Sequence, residues 1–146
     1  MIRFFGGRGM TLANGIETQD IEVWTEGSKI VFVGKPKAEE LDGKVFEREY
    51  DLKGNLLMPS FKNAHTHSAM TFLRSYADDM PLQDWLFKQI FPMEAKLDGE
   101  KVYWLTKLAI LEYLTTGCTA AFDMYFELDD YVKACTESGF RSVLCG

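Results

Sequence analysis

The sequence predicts an α/β chain in which short antiparallel strands precede the opening units of a parallel sheet. Residues 1 to about 58 hold short alternating runs separated by turn residues, which is the pattern of small antiparallel strands. After Leu56, apolar runs of strand length alternate with two helical segments. This alternation predicts a parallel sheet, because parallel neighbours need a crossover connection between them.

The first segment holds several candidate strands and no evident helix. The strands are Ile2 to Phe5, Ile21 to Trp24, Ile30 to Val33 and Phe46 to Leu52. Glycine supplies the positive φ angles of tight turns, and it occurs between these strands in Asn14-Gly15, Glu26-Gly27 and Asp42-Gly43. We therefore expect short antiparallel strands joined by tight turns.

The pattern changes at Leu56, where a mostly apolar strand begins. This strand is expected to run as far as His67, and its proline, Pro59, stands near the start, where a strand tolerates it. A long irregular stretch with two prolines follows, from Ser68 to Leu97. Loops of this length in compact domains are usually functional.

Two helices and two further strands complete the parallel pattern. Asp98 can cap a helix from Gly99 to Thr116, and Gly117 fits its end. Apolar residues cover most of the circumference of this helix, so we expect burial on several sides. The remaining elements are a strand from Cys118 to Asp123, a helix from Asp129 to Ser138 ended by Gly139, and a strand from Phe140 to Leu144.

This β-α-β-α-β order opens either a doubly wound sheet or a (β/α)8 barrel. The glycine pattern that binds dinucleotide phosphates is absent after the first strand, which disfavours the doubly wound alternative. A (β/α)8 barrel needs about 250 residues, and only about 90 follow Leu56. We therefore expect the N-terminal portion of a TIM-like barrel, with roughly three of its eight strands.

Composition and charge exclude several classes of protein. The chain is 47% hydrophobic and 14% aromatic, which is ample for a packed core. Its 16 basic and 22 acidic residues give a net charge of -6, which disfavours nucleic acid as a partner. No segment approaches the roughly 18 uninterrupted apolar residues of a membrane helix, so no membrane partner is expected. An odd count of three cysteines without an evident signal peptide predicts reduced thiols and a cytoplasmic location.

The chain has two histidines, His65 and His67, which stand two residues apart at the end of an expected strand. Residues i and i+2 of a strand project to the same face, with Cα atoms about 6.6 Å apart, so both imidazoles can reach one metal ion. In a barrel this end of the strand belongs to the catalytic face. From spacing alone, a metal site and two ordinary histidines are equal alternatives. Two ligands do not complete a site, because catalytic zinc takes about three protein ligands and a water.

The residues around the histidines carry a resemblance to a known family. A resemblance to the first barrel strand of the amidohydrolase superfamily lies in residues 57–70, LMPSFKNAHTHSAM. One branch of that superfamily contains methylthioadenosine and S-adenosylhomocysteine deaminases and the related chlorohydrolases. Similarity to this branch lies in residues 73–82, LRSYADDMPL, in Trp85-Leu86, and in Phe91-Pro92-Met93-Glu94. The resemblance covers nearly the whole chain.

The resemblance implies a two-part architecture. Residues 1–57 would be the N-terminal part of a composite β-sandwich that the family builds from both chain ends. Residues 58–146 would hold the first three strands and two helices of an incomplete metal-dependent hydrolase barrel. The missing C-terminal part of the barrel is then an expected partner, and a homo-oligomer is an expectation for the complete protein.

The resemblance also implies roles for three residues. His65 and His67 match the family's first-strand pair and would bind one divalent metal ion, zinc most often, with iron as the alternative. Glu94 matches a carboxylate that accepts hydrogen bonds from ribose hydroxyls, whereas without the family it is interpreted as a solvated acid. The family's later metal ligands, a His and an Asp, have no counterpart in the chain, and neither do its proton-transferring His and Glu.

Several other positions stay open. Trp85, Phe87 and Phe91 form either an apolar wall for a base or thioether, or a set of aromatic residues that pins the loop to the core. Asp123 either faces the site or caps a turn, and it has no assigned role. Ser60 replaces a glycine that is typical of the family, which leaves the local turn geometry open; Lys62 is likewise less usual.

The resemblance implies hydrolytic deamination of an adenosine-type nucleoside, in which a metal-activated water attacks the purine and ammonia leaves. Within this class, the alternatives are relatives acting on guanine or on a chlorinated triazine, although Glu94 favours a ribose. The alternative from another class is a catalytically dead fragment with at most a binding or assembly role. On the deaminase reading, the 146 residues alone are expected to be inactive, because ligands and acid-base groups are missing.

Overall fold

The computed structural model describes residues 1–12 and 15–145. Contacts divide the chain into two compact units, Met1–Pro59 and Ser60–Gly146. Gly27 and Gly43 have positive φ angles of 56° and 68°, as the expected turns require. The third expected turn includes Asn14, which lies outside the described residues.

Short strands in two sheets make up the first unit. These strands are β1 (Ile2–Phe5), β2 (Arg8–Thr11), β3 (Glu17–Asp20), β4 (Glu22–Glu26), β5 (Lys29–Gly34), β6 (Arg48–Asp51) and β7 (Leu56–Leu57). One sheet has the order β5-β4-β1-β6 and the other has the order β3-β2-β7. The expectation of antiparallel pairing holds for β1 with β4, whereas β1 with β6 and β2 with β7 are parallel.

Sequence patterns missed three elements of this unit. The strands β2 and β3 were not predicted, because β2 contains Gly9 and β3 consists of polar, exposed residues without apolar alternation. The expectation of no helix is wrong, since Ala38–Leu41 forms a single helical turn, α1. The Glu40 carboxylate stabilises this turn by accepting a hydrogen bond of 2.8 Å from the backbone N–H of Lys37.

Trp24 is the buried centre of the first unit. Its ring stacks on Phe32 with centroids 4.2 Å apart and meets the edge of Phe46 at 5.2 Å. The indole N–H donates to the Glu22 carboxylate, which also accepts two hydrogen bonds of 2.7 Å from Arg3. The Arg3 guanidinium lowers the pKa of Glu22, so the pair is ionised at neutral pH.

The single strand expected from Leu56 to His67 is instead two strands that belong to separate units. The strand β7 pairs with β2, whereas β8 (Phe61–Thr66) pairs with β9 (Cys118–Met124). Pro59 lies between them and has no N–H to donate to a ladder. One pairing therefore ends before the next begins.

The second unit confirms the expected alternation of strands and helices. The strands β8, β9 and β10 (Arg141–Cys145) are parallel and have the order β10-β9-β8. The helices of this unit are α2 (Leu82–Asp84), α3 (Phe91–Glu94), α4 (Gly99–Thr115) and α5 (Leu128–Ser138). The helix α4 lies between β8 and β9 in the chain, and α5 lies between β9 and β10, which fits the crossover connections that parallel neighbours need.

The ends of the two long helices follow the predicted signals. The Asp98 carboxylate accepts a hydrogen bond of 3.0 Å from the backbone N–H of Lys101 and caps α4. Gly117 and Gly139 follow α4 and α5 with φ angles of 83° and 64°, which a residue with a side chain rarely adopts. In the part of the chain that the structure describes, no helix combines the length and apolar character needed to cross a membrane.

The helices cover one face of the sheet. In β9 the side chains alternate, with Ala121 and Asp123 buried and Phe122 and Met124 exposed. A hydrophobic core forms on the helical side from residues that include Ala69, Val102, Ile110, Ala121, Tyr131, Cys135 and Phe140. The opposite face of the sheet exposes apolar side chains, as does part of α4.

The expected burial of α4 on several sides is met on only one side within the second unit. Val102 and Ile110 are buried against the core, whereas Trp104 and Leu111 are 60% and 59% exposed. The apolar circumference of this helix therefore exceeds the surface that the second unit covers.

The stretch from Ser68 to Leu97 is mostly helical rather than irregular. Ser68–Leu73 forms a 3-10 helix, and Trp85–Ile90 forms a π-helix that joins α2 to α3. Pro81 and Pro92 lie at the start of α2 and in the first turn of α3, where the missing N–H is tolerated. The two prolines thus begin helical segments rather than breaking them.

Candidate metal and substrate site

A cavity of about 940 Å³ lies at the C-terminal ends of β8 and β9. Its walls come from the end of β8, from the residues that follow β9, and from the helical segment from α2 to α3. All three predicted site residues, His65, His67 and Glu94, line this one cavity. The structure therefore brings together residues that are up to 29 positions apart in the sequence.

The two histidine rings lie next to each other in the cavity wall. Their centroids are 5.0 Å apart and their planes are nearly perpendicular, at 86°. Thr66, between them, projects toward α4, where its hydroxyl lies 2.5 Å from the Tyr113 hydroxyl. His65 and His67 therefore share a face, as expected, although His67 lies one residue beyond the end of β8.

The end of β8 departs from a regular strand. Its pairing with β9 shifts between Asn63 and Thr66, so that β8 has one more residue than β9 over this interval. The Asn63 side-chain oxygen accepts a hydrogen bond of 3.2 Å from the backbone N–H of His65. Bulges of this kind redirect side chains next to functional sites. The sequence argument assumed a regular strand and missed this feature.

A backbone carbonyl determines the tautomer of His67. The Nδ1 atom lies 2.8 Å from the carbonyl oxygen of Met124, which can only accept a hydrogen bond. Nδ1 therefore carries the proton and donates, and Nε2 keeps the lone pair. A histidine that ligates a metal usually donates its other ring N–H in this way, so His67 is prepared for coordination through Nε2.

The histidine pair fits one part of a metal site. Imidazole nitrogen is a good ligand for zinc and for iron, and two adjacent rings provide two such ligands. Within residues 1–12 and 15–145, no cluster of three or more His, Cys, Asp or Glu residues could hold a metal ion. A catalytic site needs at least one more protein ligand than the described residues provide.

Asp123 is a fully buried carboxylate behind the histidine pair. It accepts hydrogen bonds from the backbone N–H of Ser68 at 3.2 and 3.3 Å, from the Ser68 hydroxyl, and from the Tyr131 hydroxyl at 2.6 Å. These bonds fix Ser68, which directly follows His67. The sequence left Asp123 without a role, and its polar position within an apolar strand was the available signal.

Glu94 and Tyr125 are two further residues that line the cavity. Glu94 is the last residue of α3 and is half-buried. Tyr125 follows β9 and is 6% exposed, and its hydroxyl makes no hydrogen bond within the described residues. Burial and then the nearby Glu94 carboxylate raise the pKa of Tyr125. Tyr125 was not among the predicted site residues.

Two of the three aromatic residues that were left open between a cavity wall and a core contact line the cavity. Trp85 and Phe91 do so, together with Phe126. Phe87 is 63% exposed and packs edge-on against Phe91, with ring centroids 5.2 Å apart. Of the two alternatives left open for Phe87, a cavity wall or a contact with the core, the structure therefore supports neither.

Ser60 and Lys62 form a small polar cluster at the beginning of β8. The Ser60 hydroxyl lies 2.5 Å from the Thr119 hydroxyl, and the Lys62 ammonium donates to both at 2.7 and 2.9 Å. Serine at position 60 thus links the start of β8 to β9.

Comparison with known proteins identifies the class to which this fold belongs. The sequence profile of the amidohydrolase family matches residues 56–146, which include β8, β9, β10 and the cavity. The chain therefore belongs to the amidohydrolase family.

Relatives with named activities match much of the chain. A 5-methylthioadenosine/S-adenosylhomocysteine deaminase of Desulfitobacterium hafniense is 44% identical over 123 residues, which cover 84% of this chain and 28% of that protein. A 5'-deoxyadenosine deaminase of Methanospirillum hungatei is 56% identical over 94 residues, covering 64% of this chain and 21% of the relative. The chain thus spans between a fifth and three tenths of the length of these curated relatives.

Solved structures share the fold. An adenosine deaminase of Xanthomonas campestris with bound zinc has a TM-score of 0.89 at 33% identity, over 97% of this chain and 33% of that chain. An atrazine chlorohydrolase of Arthrobacter aurescens has a TM-score of 0.84 at 21% identity, over 100% of this chain and 35% of its own. The guanine deaminase of Escherichia coli has a TM-score of 0.81 at 20% identity, over 99% of this chain and 37% of that chain. The last two similarities concern the fold alone.

Proposed function

We propose that this chain is the N-terminal part of a metal-dependent deaminase that removes the amino group of an adenosine-type nucleoside by hydrolysis. The observation that carries the proposal is the convergence of His65, His67 and Glu94 on one cavity at the ends of parallel strands. The names of the relatives from Desulfitobacterium hafniense and Methanospirillum hungatei support an adenosine derivative such as methylthioadenosine or S-adenosylhomocysteine.

The complete protein is proposed to be a (β/α)8 barrel in which β8, β9 and β10 are the first three barrel strands. The exposed apolar side chains of Phe122 and Val143 support this fold, because the interior of such a barrel is filled by branched and bulky side chains. Residues 1–57 would contribute to a separate β-sandwich. Further strands would bring the remaining metal ligands to the same end of the barrel.

His65 and His67 are proposed to bind one divalent metal ion, with zinc favoured by the bound zinc of the Xanthomonas campestris deaminase. The hydrogen bond from His67 to the Met124 carbonyl orients the ring and leaves Nε2 free. When bound there, the ion supplies a water of lowered pKa, which is the nucleophile that hydrolysis at neutral pH requires.

Glu94 is proposed to accept hydrogen bonds from the ribose hydroxyls. A carboxylate can accept two such bonds at once, and Glu94 lines the same cavity as the histidine pair. Trp85 and Phe91 would contact the flat purine and exclude water from it. The residues of this chain thus bind and orient the substrate, and proton transfer falls to groups outside it.

Guanine and chlorinated triazines are the alternative substrates, and the fold similarity to a guanine deaminase and an atrazine chlorohydrolase is the observation in their favour. Neither compound has ribose hydroxyls, so neither gives Glu94 its proposed partners. We therefore favour the nucleoside.

The test uses a completed chain, meaning this chain followed by the C-terminal part of the Desulfitobacterium hafniense deaminase that lies beyond its matched residues. We expect ammonia release from methylthioadenosine in the presence of zinc. His67→Ala should lose the metal and lower kcat/KM by more than about a hundredfold, because the loss of a hydrogen-bond partner of a ligand already costs about tenfold to a hundredfold. Lys62→Ala, on the same strand but outside the cavity, should keep both properties.

Two results would overturn the proposal. One is deamination that survives His67→Ala with the metal content unchanged. The other is a completed chain that acts on guanine or on a chlorotriazine and releases no ammonia from adenosine-type nucleosides.

A further inference from the structure

Tyr125 is held firmly at the cavity by the sheet. Its backbone N–H donates a hydrogen bond of 3.2 Å to the carbonyl oxygen of Cys145, at the end of β10. Its ring stacks on Phe126 with centroids 4.4 Å apart, and its side chain belongs to the hydrophobic core of the second unit. The position of this side chain is therefore set by two neighbouring strand ends.

The hydroxyl of Tyr125 differs from those of the other enclosed tyrosines near the site. The Tyr131 hydroxyl lies 2.6 Å from Asp123 and 3.0 Å from Ser142, and the Tyr113 hydroxyl lies 3.0 Å from that of Ser68. The Tyr125 hydroxyl is buried and has no hydrogen-bond partner within the described residues. Because buried hydroxyls are nearly always paired, an unpaired one at a cavity wall is available to a polar group that turns toward it when a ligand binds.

Glu94 is a charged group that lines the same cavity as this hydroxyl. Both residues line the same cavity, and the Glu94 carboxylate contributes, after burial, to a raised pKa of Tyr125. A phenol with a raised pKa is protonated at neutral pH, so it can donate a hydrogen bond to a carboxylate. Glu94 itself lies at the end of α3, which has only four residues and follows a π-helical turn.

We propose that Tyr125 is a positioning residue that donates a hydrogen bond to one oxygen of the Glu94 carboxylate when a nucleoside binds. The other oxygen of the carboxylate is then directed at the ribose hydroxyls. This inference rests on the ribose role proposed for Glu94. A tyrosine fixed by the sheet thus orients an acid carried by a short helical segment, which makes the pair a determinant of the preference for nucleosides over free bases.

The test compares Tyr125→Phe, Glu94→Ala and the double variant in the completed chain. Tyr125→Phe removes only the hydroxyl and should raise KM for methylthioadenosine by roughly tenfold, with kcat, metal content and activity on free adenine unchanged. In the Glu94→Ala background, Tyr125→Phe should have no further effect, because its partner is already absent. Tyr103→Phe removes a hydroxyl that donates to Glu137 outside the cavity, and it should leave KM unchanged.

The outcomes separate the two proposals. If Glu94→Ala leaves the preference for the nucleoside intact, the ribose role of Glu94 is wrong. If Glu94→Ala abolishes the preference but Tyr125→Phe leaves KM unchanged, the positioning role alone is wrong. It is also wrong if the effects of the two substitutions add in the double variant, since Tyr125 then acts independently of Glu94. A fall in kcat and in activity on adenine together with the rise in KM would indicate a general structural role instead.

Discussion

The two walls of the cavity are constructed differently. The strand wall is formed by His65, His67 and Met124. Two contacts hold it in place: His67 donates a hydrogen bond to the backbone carbonyl of Met124, and the buried Asp123 carboxylate accepts a hydrogen bond from Ser68, which follows His67. The helical wall, formed by residues 82–94, consists of short α-helical and π-helical turns that carry Glu94. The strand wall is therefore held by hydrogen bonds between residues of the chain itself.

This difference suggests that the strand wall binds the metal and that the helical wall recognises the substrate. Metal ligands must be held closely, because a small displacement of a ligand changes the geometry of the site. A wall that recognises a substrate gains from adjusting to it, and π-helical turns occur frequently at such places. We expect substitutions in the strand wall to change metal binding and substitutions in the helical wall to change substrate preference.

The largest expected effect is the loss of deaminase activity in a chain whose strand wall lacks further metal ligands. The 146-residue chain alone should release no measurable ammonia from adenosine-type nucleosides, since its described residues hold no cluster of three metal ligands. The completed chain should be active under the same conditions. Ammonia release from the chain alone, abolished by His65→Ala, would contradict this prediction.

Asp123→Asn tests whether the buried carboxylate supports the strand wall. The variant keeps the size of the side chain but loses the charge that accepts from Ser68 and Tyr131. We expect the free energy of unfolding to fall by about 1 to 3 kcal/mol and the metal affinity to fall by about tenfold. Denaturant unfolding and zinc titration of the completed chain measure the two effects. The exposed Asp78→Asn variant is the control, with an expected change within about 0.5 kcal/mol. Unchanged metal affinity in Asp123→Asn would limit this residue to a role in folding.

The smallest effect is expected from the exposed side of the helical wall. Phe87→Ala should change kcat/KM for the nucleoside by less than about twofold, because surface substitutions usually change free energies by less than about 0.5 kcal/mol. Trp85→Ala, at the neighbouring cavity wall, should raise KM several-fold. Equal effects of both substitutions would mean that the cavity surface does not distinguish these aromatic residues.

The parts of the fold that the sequence predicted are those with strong local signals. Asp98, Gly117 and Gly139 mark helix ends whose physical causes are local, and the alternation from Leu56 to Leu144 predicted the parallel order. The strands β2 and β3 lack such signals, since they are stabilised by pairing with each other and with β7. The helical character of residues 82–94 was missed because two prolines and a π-helical turn resemble a loop in the sequence.

The candidate site was predicted unevenly for a similar reason. His65, His67 and Glu94 belong to strings that resemble a family, and the structure gathers them at one cavity. Tyr125 and Asp123 become visible as site features only through burial and hydrogen bonding between distant segments, such as the contact of Asp123 with Ser68. The bulge at the end of β8 likewise depends on pairing with β9.

The claim that the two walls have separate functions is tested most directly by Glu94→Ala in the completed chain, with metal stoichiometry measured beside kcat/KM for methylthioadenosine and for free adenine. Loss of a charged acceptor costs about 1.5 to 3 kcal/mol per hydrogen bond, so kcat/KM for the nucleoside should fall by roughly tenfold to over a hundredfold. Metal content and activity on adenine should stay unchanged. A variant that loses its metal, or one that keeps its preference for the nucleoside, would contradict the account.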